Sequence, residues 1–179
     1  KFMRSEGKEK LSILQEFSID DIPQELIVGE DGIKLVAIGK IHDYGEGCAC
    51  PMGALAREFI EKLKADGMQV IVDTDAGIEH FGRGVEAGSD RIVVVIDPSF
   101  ESVQLSEKIS EMGAKINKPV CFILNRMNED AAELSSLVDG KKVIGSVPFD
   151  RDVFQACLKG SQVPQLAEMK EIVDRLLAE

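Results

Sequence analysis

The chain is short of positive charge, of long apolar runs and of paired cysteines. Its 21 Lys and Arg face 32 Asp and Glu, a formal net charge of −11. That balance argues against non-specific nucleic-acid binding, which needs clustered cations to neutralise phosphates. It argues equally against docking on anionic lipid. No apolar run approaches the ~18–20 residues that cross a bilayer. Lys1-Phe2-Met3-Arg4-Ser5-Glu6-Gly7-Lys8 has no apolar segment of the kind found in a secretory signal. The four cysteines make no disulfide framework. Cys121 lies in an apolar strand-like run, Cys157 in a helix-like run, and Cys48 and Cys50 are almost adjacent. A reducing, cytoplasmic setting is expected. No phosphate-cradling Gly-x-x-x-x-Gly-Lys-Ser/Thr occurs.

What is present alternates between strand and helix. The 179 residues, 44% of them hydrophobic, suit a single domain over 1–179 with a real core. Leu26-Ile27-Val28 and the run from Ile33 to Ile38 flank Gly29-Glu30-Asp31-Gly32, a hairpin turn. Apolar residues at Leu55, Phe59, Ile60 and Leu63 predict a helix over Met52 to Lys64, ended by Asp66-Gly67. Val70-Ile71-Val72 reads as a short buried strand. Ile92 to Ile96, Val120 to Leu124 and Val143 to Val147 read as strands covered on both faces. Helices are predicted over Val103–Met112, closed by Gly113, then over Asp130–Val138, Val153–Leu158, and from Pro164 to about Leu177. Near-continuous apolar strands separated by helices mean a three-layer α/β fold: a mostly parallel sheet with helices on both faces, and a small hairpin near the start.

In such sheets ligands bind beyond the carboxyl ends of the strands. Three polar features fall there. Asp73 ends a strand and precedes Gly77 by four residues. An acid so placed can hold Mg²⁺, and a glycine turn can approach a γ-phosphate; it can equally be a helix N-cap. Asn125-Arg126 ends another strand. An Asn amide offers a donor and an acceptor to a purine edge, or simply tolerates a turn. Pro148-Phe149 can lay backbone along the same base, or Pro148 can merely stop a strand. Glu129-Asp130 and the acidic last helix are solvated faces; that helix lacks a basic membrane-binding side.

Cys48-Ala49-Cys50 sits in a Gly-containing loop running into a helix. Two thiols one residue apart can share a metal, but a closed tetrahedral site takes four ligands. Met52, Phe59 and Leu63 read as core beside them. His80 reads as a partly buried helix residue with a partner, and is also a metal-ligand candidate.

Gly47-Cys48-Ala49-Cys50, the stretch Val72-Asp73-Thr74-Asp75-Ala76-Gly77-Ile78-Glu79-His80-Phe81-Gly82-Arg83-Gly84, Asn125-Arg126 and Val147-Pro148-Phe149 together resemble one family. It is the nickel-inserting maturation ATPases of carbon monoxide dehydrogenase, the CooC type. They belong to the MinD/ParA and nitrogenase iron protein group of deviant P-loop ATPases. The resemblance runs from about Leu26 to the end. It implies ATP or ADP and Mg²⁺ as cofactors, Asp73 as the switch II acid linked to Mg²⁺, and Ala76-Gly77 as the turn facing the γ-phosphate. Asn125 would read adenine beside Arg126, Pro148 and Phe149. Cys48 and Cys50 would hold Ni²⁺ or Zn²⁺, completed by the same pair from a second subunit in an ATP-dependent homodimer. The expected partner is apo carbon monoxide dehydrogenase or another nickel enzyme, with neither nucleic acid nor membrane.

In that family a phosphate loop precedes the point at which this chain begins. The natural start is therefore expected upstream of Lys1, and this chain alone is not expected to hydrolyse ATP. The iron protein is similar but has one cysteine in each of two loops, the second aligning with His80. A redox protein with a dimer-bridging iron–sulfur cluster is thus an alternative. So is a MinD/ParA-like positioning ATPase without metal.

Overall fold

Strand pairing organises the chain unevenly along its length. The computed structural model describes residues 15–38, 50–75, 77–128, 131–138 and 140–178. Contacts divide the chain into two units, Lys1–Ser89 and Asp90–Glu179.

In the first unit, β1 (Phe17–Ser18) is held by a local cap. The Ser18 N–H donates to Asp21 Oδ2 at 2.7 Å, which holds the Asp21 carboxyl below the ordinary aspartate range. β2 (Val28–Glu30) and β3 (Ile33–Leu35) form a hairpin where one was expected, with Glu30 opposite Ile33, but Leu26 ends a 3₁₀ turn instead of lying in the strand, and Gly29 and Glu30 pair instead of turning. Asp31 and Gly32 connect them with φ of 52° and 81°. Two successive positive φ angles are what a two-residue type I′ turn requires.

The predicted helix is α1 (Cys50–Lys62). It stops short of Lys64 because Leu63 and Lys64 leave it to form β4 (Leu63–Lys64), parallel to β1. Phe17 meets Phe59 edge-on, ring centroids 4.9 Å apart. Lys64 also pairs with Glu16 at 2.9 Å. The five-residue α2 (Glu79–Arg83) ends at Gly84, whose φ of 73° makes the left-handed cap. A 3₁₀ turn over Val85–Gly88 follows. It lies close on α1: a side chain at Gly88 would stand 3.0 Å from the Glu61 backbone nitrogen.

Val70-Ile71-Val72 departs from expectation. It joins no ladder among the described residues. Ile71 is 91% exposed. An extended apolar segment becomes a strand only when a neighbour accepts its N–H groups and covers its faces, and no described strand does so here.

The second unit carries the parallel sheet. β5 (Ile92–Ile96) leads into α3 (Phe100–Lys115), which Ser99 caps by accepting from the Ser102 N–H. β6 (Val120–Met127), α4 (Ala131–Leu137) and β7 (Val143–Pro148) follow, and the strand order is β5-β6-β7 with both pairings parallel. Asp150 caps α5 (Arg151–Lys159) through the Val153 N–H at 2.8 Å, and α6 (Ala167–Leu177) closes the chain.

The period-two alternation of β6 builds two cores. Phe122 and Leu124 pack with Ile96, Val103, Leu134 and Val138, under α3 and α4. Cys121 and Ile123 pack with Ile144, Val147 and Ile172, under α6. Helices therefore cover both faces of a parallel sheet, the three-layer α/β arrangement read from the sequence.

Other helix ends differ from the prediction as well. Gly113 does not close α3 but lies inside it, because a side chain there would strike Val120. The helix ends instead beyond Lys115, where Asn117 takes a φ of 54°. The last helix begins at Ala167 rather than at Pro164.

Candidate functional site

β6 does not stop at Leu124. Leu124 pairs with Ser146 and Met127 with Pro148, so three steps on β6 match two on β7. Asn125 and Arg126 together occupy the space opposite Val147, which is a β-bulge. Arg126 has a φ of 54°. A bulky residue in that region costs about 1–3 kcal/mol, and such strain gathers at functional sites. The bulge turns both side chains out at the carboxyl end of the sheet.

There they meet Asp97, the residue after β5. Asn125 Nδ2 donates to Asp97 Oδ1 at 2.9 Å. Arg126 Nη1 lies 3.5 Å from Asp97 Oδ2. The Phe149 N–H donates to the Met127 carbonyl at 2.9 Å. Pro148 and Phe149 are thereby carried alongside the bulge. Phe149 is 54% exposed, and its ring tilts against Phe154, centroids 6.1 Å apart. The sequence-derived set Asn125, Arg126, Pro148 and Phe149 is thus gathered at one edge of β6 and β7. Asp97 joins it. It ends a β-branched run just as Asp73 was expected to, so strand-end reasoning reaches it without a structure.

In the first unit Asp73 is exposed. It is not a helix cap: the residue at that position of α2 is Ile78, with no side-chain hydrogen bond. Gly77 has a φ of 116°, and a side chain on it would run into the Glu79 carboxylate. Only glycine fits such a backbone, and it leaves the N–H open to close approach. Ala76 lies outside the described residues. His80 Nε2 faces Glu86 Oε1 at 3.2 Å, both side chains largely buried. That oxygen has no aligned hydrogen bond, so the two side chains make a close polar contact without one. Glu86 carries no motif that would single it out in the sequence.

Cys48 lies outside the described residues. Cys50 is the first residue of α1, and its side chain is likewise outside the description, as are Glu129 and Asp130. Among the described residues no three His, Cys, Asp or Glu gather to hold a metal ion. Of the remaining cysteines, Cys121 is buried with its Sγ 3.6 Å from the Ile92 carbonyl, and Cys157 is exposed. No described helix is long and apolar enough to cross a membrane.

A parallel sheet covered on both faces, with a strained polar cluster beyond its carboxyl edge, defines the class of α/β proteins that bind ligands at strand ends. Sequence relatives narrow the class. An uncharacterized ATP-binding protein of Methanocaldococcus jannaschii is 49% identical over 176 residues, 97% of this chain and 71% of that protein. The carbon monoxide dehydrogenase accessory protein CooC of Rhodospirillum rubrum is 35% identical over 136 residues, 74% of this chain and 52% of its own length. A further uncharacterized ATP-binding protein of M. jannaschii is 32% identical over 152 residues, 81% of this chain and 59% of its own. No family model matches the chain. No solved structure matches it either. The chain belongs to the family of the first of these ATP-binding proteins, and CooC is among its relatives. The chain spans between 52% and 71% of the length of these three relatives.

Proposed function

We propose that the full-length protein is an ATPase that delivers nickel to carbon monoxide dehydrogenase or a related nickel enzyme. The observation that carries this reading is the 35% identity to CooC, whose name makes it an accessory protein of carbon monoxide dehydrogenase. The Cys48-Ala49-Cys50 pair supports it.

In this reading Asn125, Pro148 and Phe149 take the adenine, with Arg126 beside them. Asp73 holds Mg²⁺, and the N–H of Gly77 faces the γ-phosphate. The exposed carboxylate of Asp73 and the side-chain-free, positive-φ backbone of Gly77 are suited to those roles. Two subunits close on ATP, and their two Cys48/Cys50 pairs supply four thiolates to one divalent ion. Thiolates accept both Ni²⁺ and Zn²⁺, so the cargo is set by supply and by the recipient. Phosphoryl transfer depends mainly on positioning and charge. Hydrolysis reopens the dimer and releases the ion. No basic surface or membrane span is required, in keeping with the net charge of −11.

The test is metal stoichiometry on the full-length protein under reducing conditions. The wild type should bind one Ni²⁺ or Zn²⁺ per dimer in the presence of MgATP. Cys48→Ala and Cys50→Ala should each abolish it. Unchanged binding by both variants would end the metallochaperone reading and leave a positioning ATPase.

A further inference from the structure

The contact between Asp97 and Asn125 does something that neither residue does alone. An Asn amide has two ends, an acceptor oxygen and a donor NH₂, and a flip exchanges them. A carboxylate only accepts. Asp97 Oδ1, 2.9 Å from Asn125 Nδ2, therefore admits the NH₂ end and repels the oxygen. The second carboxylate oxygen of Asp97 is turned towards Arg126 Nη1 at 3.5 Å. The β-bulge fixes the backbone on which both partners stand. The amide is left with one free N–H and one free oxygen, in a set order.

We propose that Asp97 determines the base preference of this site by locking the Asn125 amide in the orientation that matches adenine. This rests on the reading of Asn125 as the base-contacting residue. Adenine presents an amine donor at C6 and an acceptor at N7, which an Asn amide meets as a bidentate pair. A 6-oxo purine presents two acceptors. Against the locked amide, its O6 would face the Asn125 oxygen, and two acceptors would be left unpaired. A free amide has a partial remedy in flipping; the locked one has none. Asp97 is thus a positioning residue that acts through Asn125, and its effect is on specificity more than on affinity.

ATP and inosine triphosphate differ at the C6 edge that this amide would read, and the latter lacks the 2-amino group that distinguishes guanine elsewhere. Calorimetric binding of both, with Mg²⁺, to the full-length protein is the direct measurement. Asp97→Asn is nearly isosteric, and its own amide can satisfy Asn125 in either orientation. A lost bidentate discrimination is on the order of ten-fold. Asp97→Asn should therefore lower the preference for ATP over inosine triphosphate by about ten-fold, with a smaller change in ATP affinity. Asp97→Glu, which keeps an acceptor-only group, should retain most of the preference.

An unchanged ratio in Asp97→Asn, alongside weakened ATP binding in Asn125→Ala, would overturn the role of Asp97 alone. Unchanged ATP binding in Asn125→Ala would overturn the base-contact reading on which it stands. Equal loss of both nucleotides in Asp97→Asn would likewise overturn the role of Asp97, since it marks a support for binding in general and not a choice of base.

Discussion

Val70-Ile71-Val72 and Ile92-Val93-Val94-Val95-Ile96 are written in the same β-branched alphabet, yet they end differently. Ile96 is fully buried while Ile71 is 91% exposed. β5 has β6 beside it, in register from Ile92 opposite Val120 to Ile96 opposite Leu124. Among the described residues, the segment 70–72 has no ladder partner. β-propensity measures fit to a pleated, half-covered surface, and a surface must exist before a residue can fit it. The two units repeat the lesson. The second rests on a sheet with apolar side chains interdigitated on both faces. In the first, a glycine-bearing turn is pressed against α1.

Three substitutions probe that contrast by chemical denaturation. Ile172→Ala should have the largest effect. Ile172 is 1% exposed and lies in the core under α6. Truncating it removes contacts and leaves a cavity, at about 2–5 kcal/mol. A loss below about 1 kcal/mol would show a face that collapses easily, and would weaken the claim that this core is closely packed. Gly88→Ala comes next. The added methyl would press on the Ile60 side chain and on the backbone of Glu61. Overpacking of this kind costs about 1–3 kcal/mol. Full tolerance would mean that the 3₁₀ turn does not sit so close to α1 in solution.

Ile71→Thr should have the smallest effect, within about 0.5 kcal/mol, as for an exposed position away from special features. This is the sharpest test of the comparison. A loss above about 1.5 kcal/mol would reveal a partner for 70–72 in solution and make its β-branched sequence as consequential as that of β5.

What the sequence reveals follows the range of the interactions involved. The alternating β-branched and helical text yields β5, β6 and β7 and the helices between them, because period and composition are local. The hairpin is legible for the same reason, although its turn narrows from Gly29-Glu30-Asp31-Gly32 to Asp31-Gly32. Gly113 misleads because glycine can either end a helix or admit a neighbour, and Val120, which demands the small residue, is on another element. The candidate site divides in the same way. Asn125, Pro148 and Phe149 are read from strand ends. Asp97 stands at an equally readable place, but its hydrogen bond to Asn125 spans 28 residues and leaves no trace in either neighbourhood. The positive φ of Arg126 is a matter of register between β6 and β7, which a single strand does not record.

The α3 helix has a mechanical consequence. Its 16 residues make a stiff rod of about 24 Å. Gly113, inside it near one end, admits the Val120 side chain. At the other end Ser99 caps the helix while its N–H donates to the Asp97 carbonyl at 2.7 Å. The start of β6 and the residue that grips its far-end amide are therefore joined twice: by the strand itself and by the rod beside it. Asp97 is thus tied to the start of β6 through the rod as well as to its far end through Asn125.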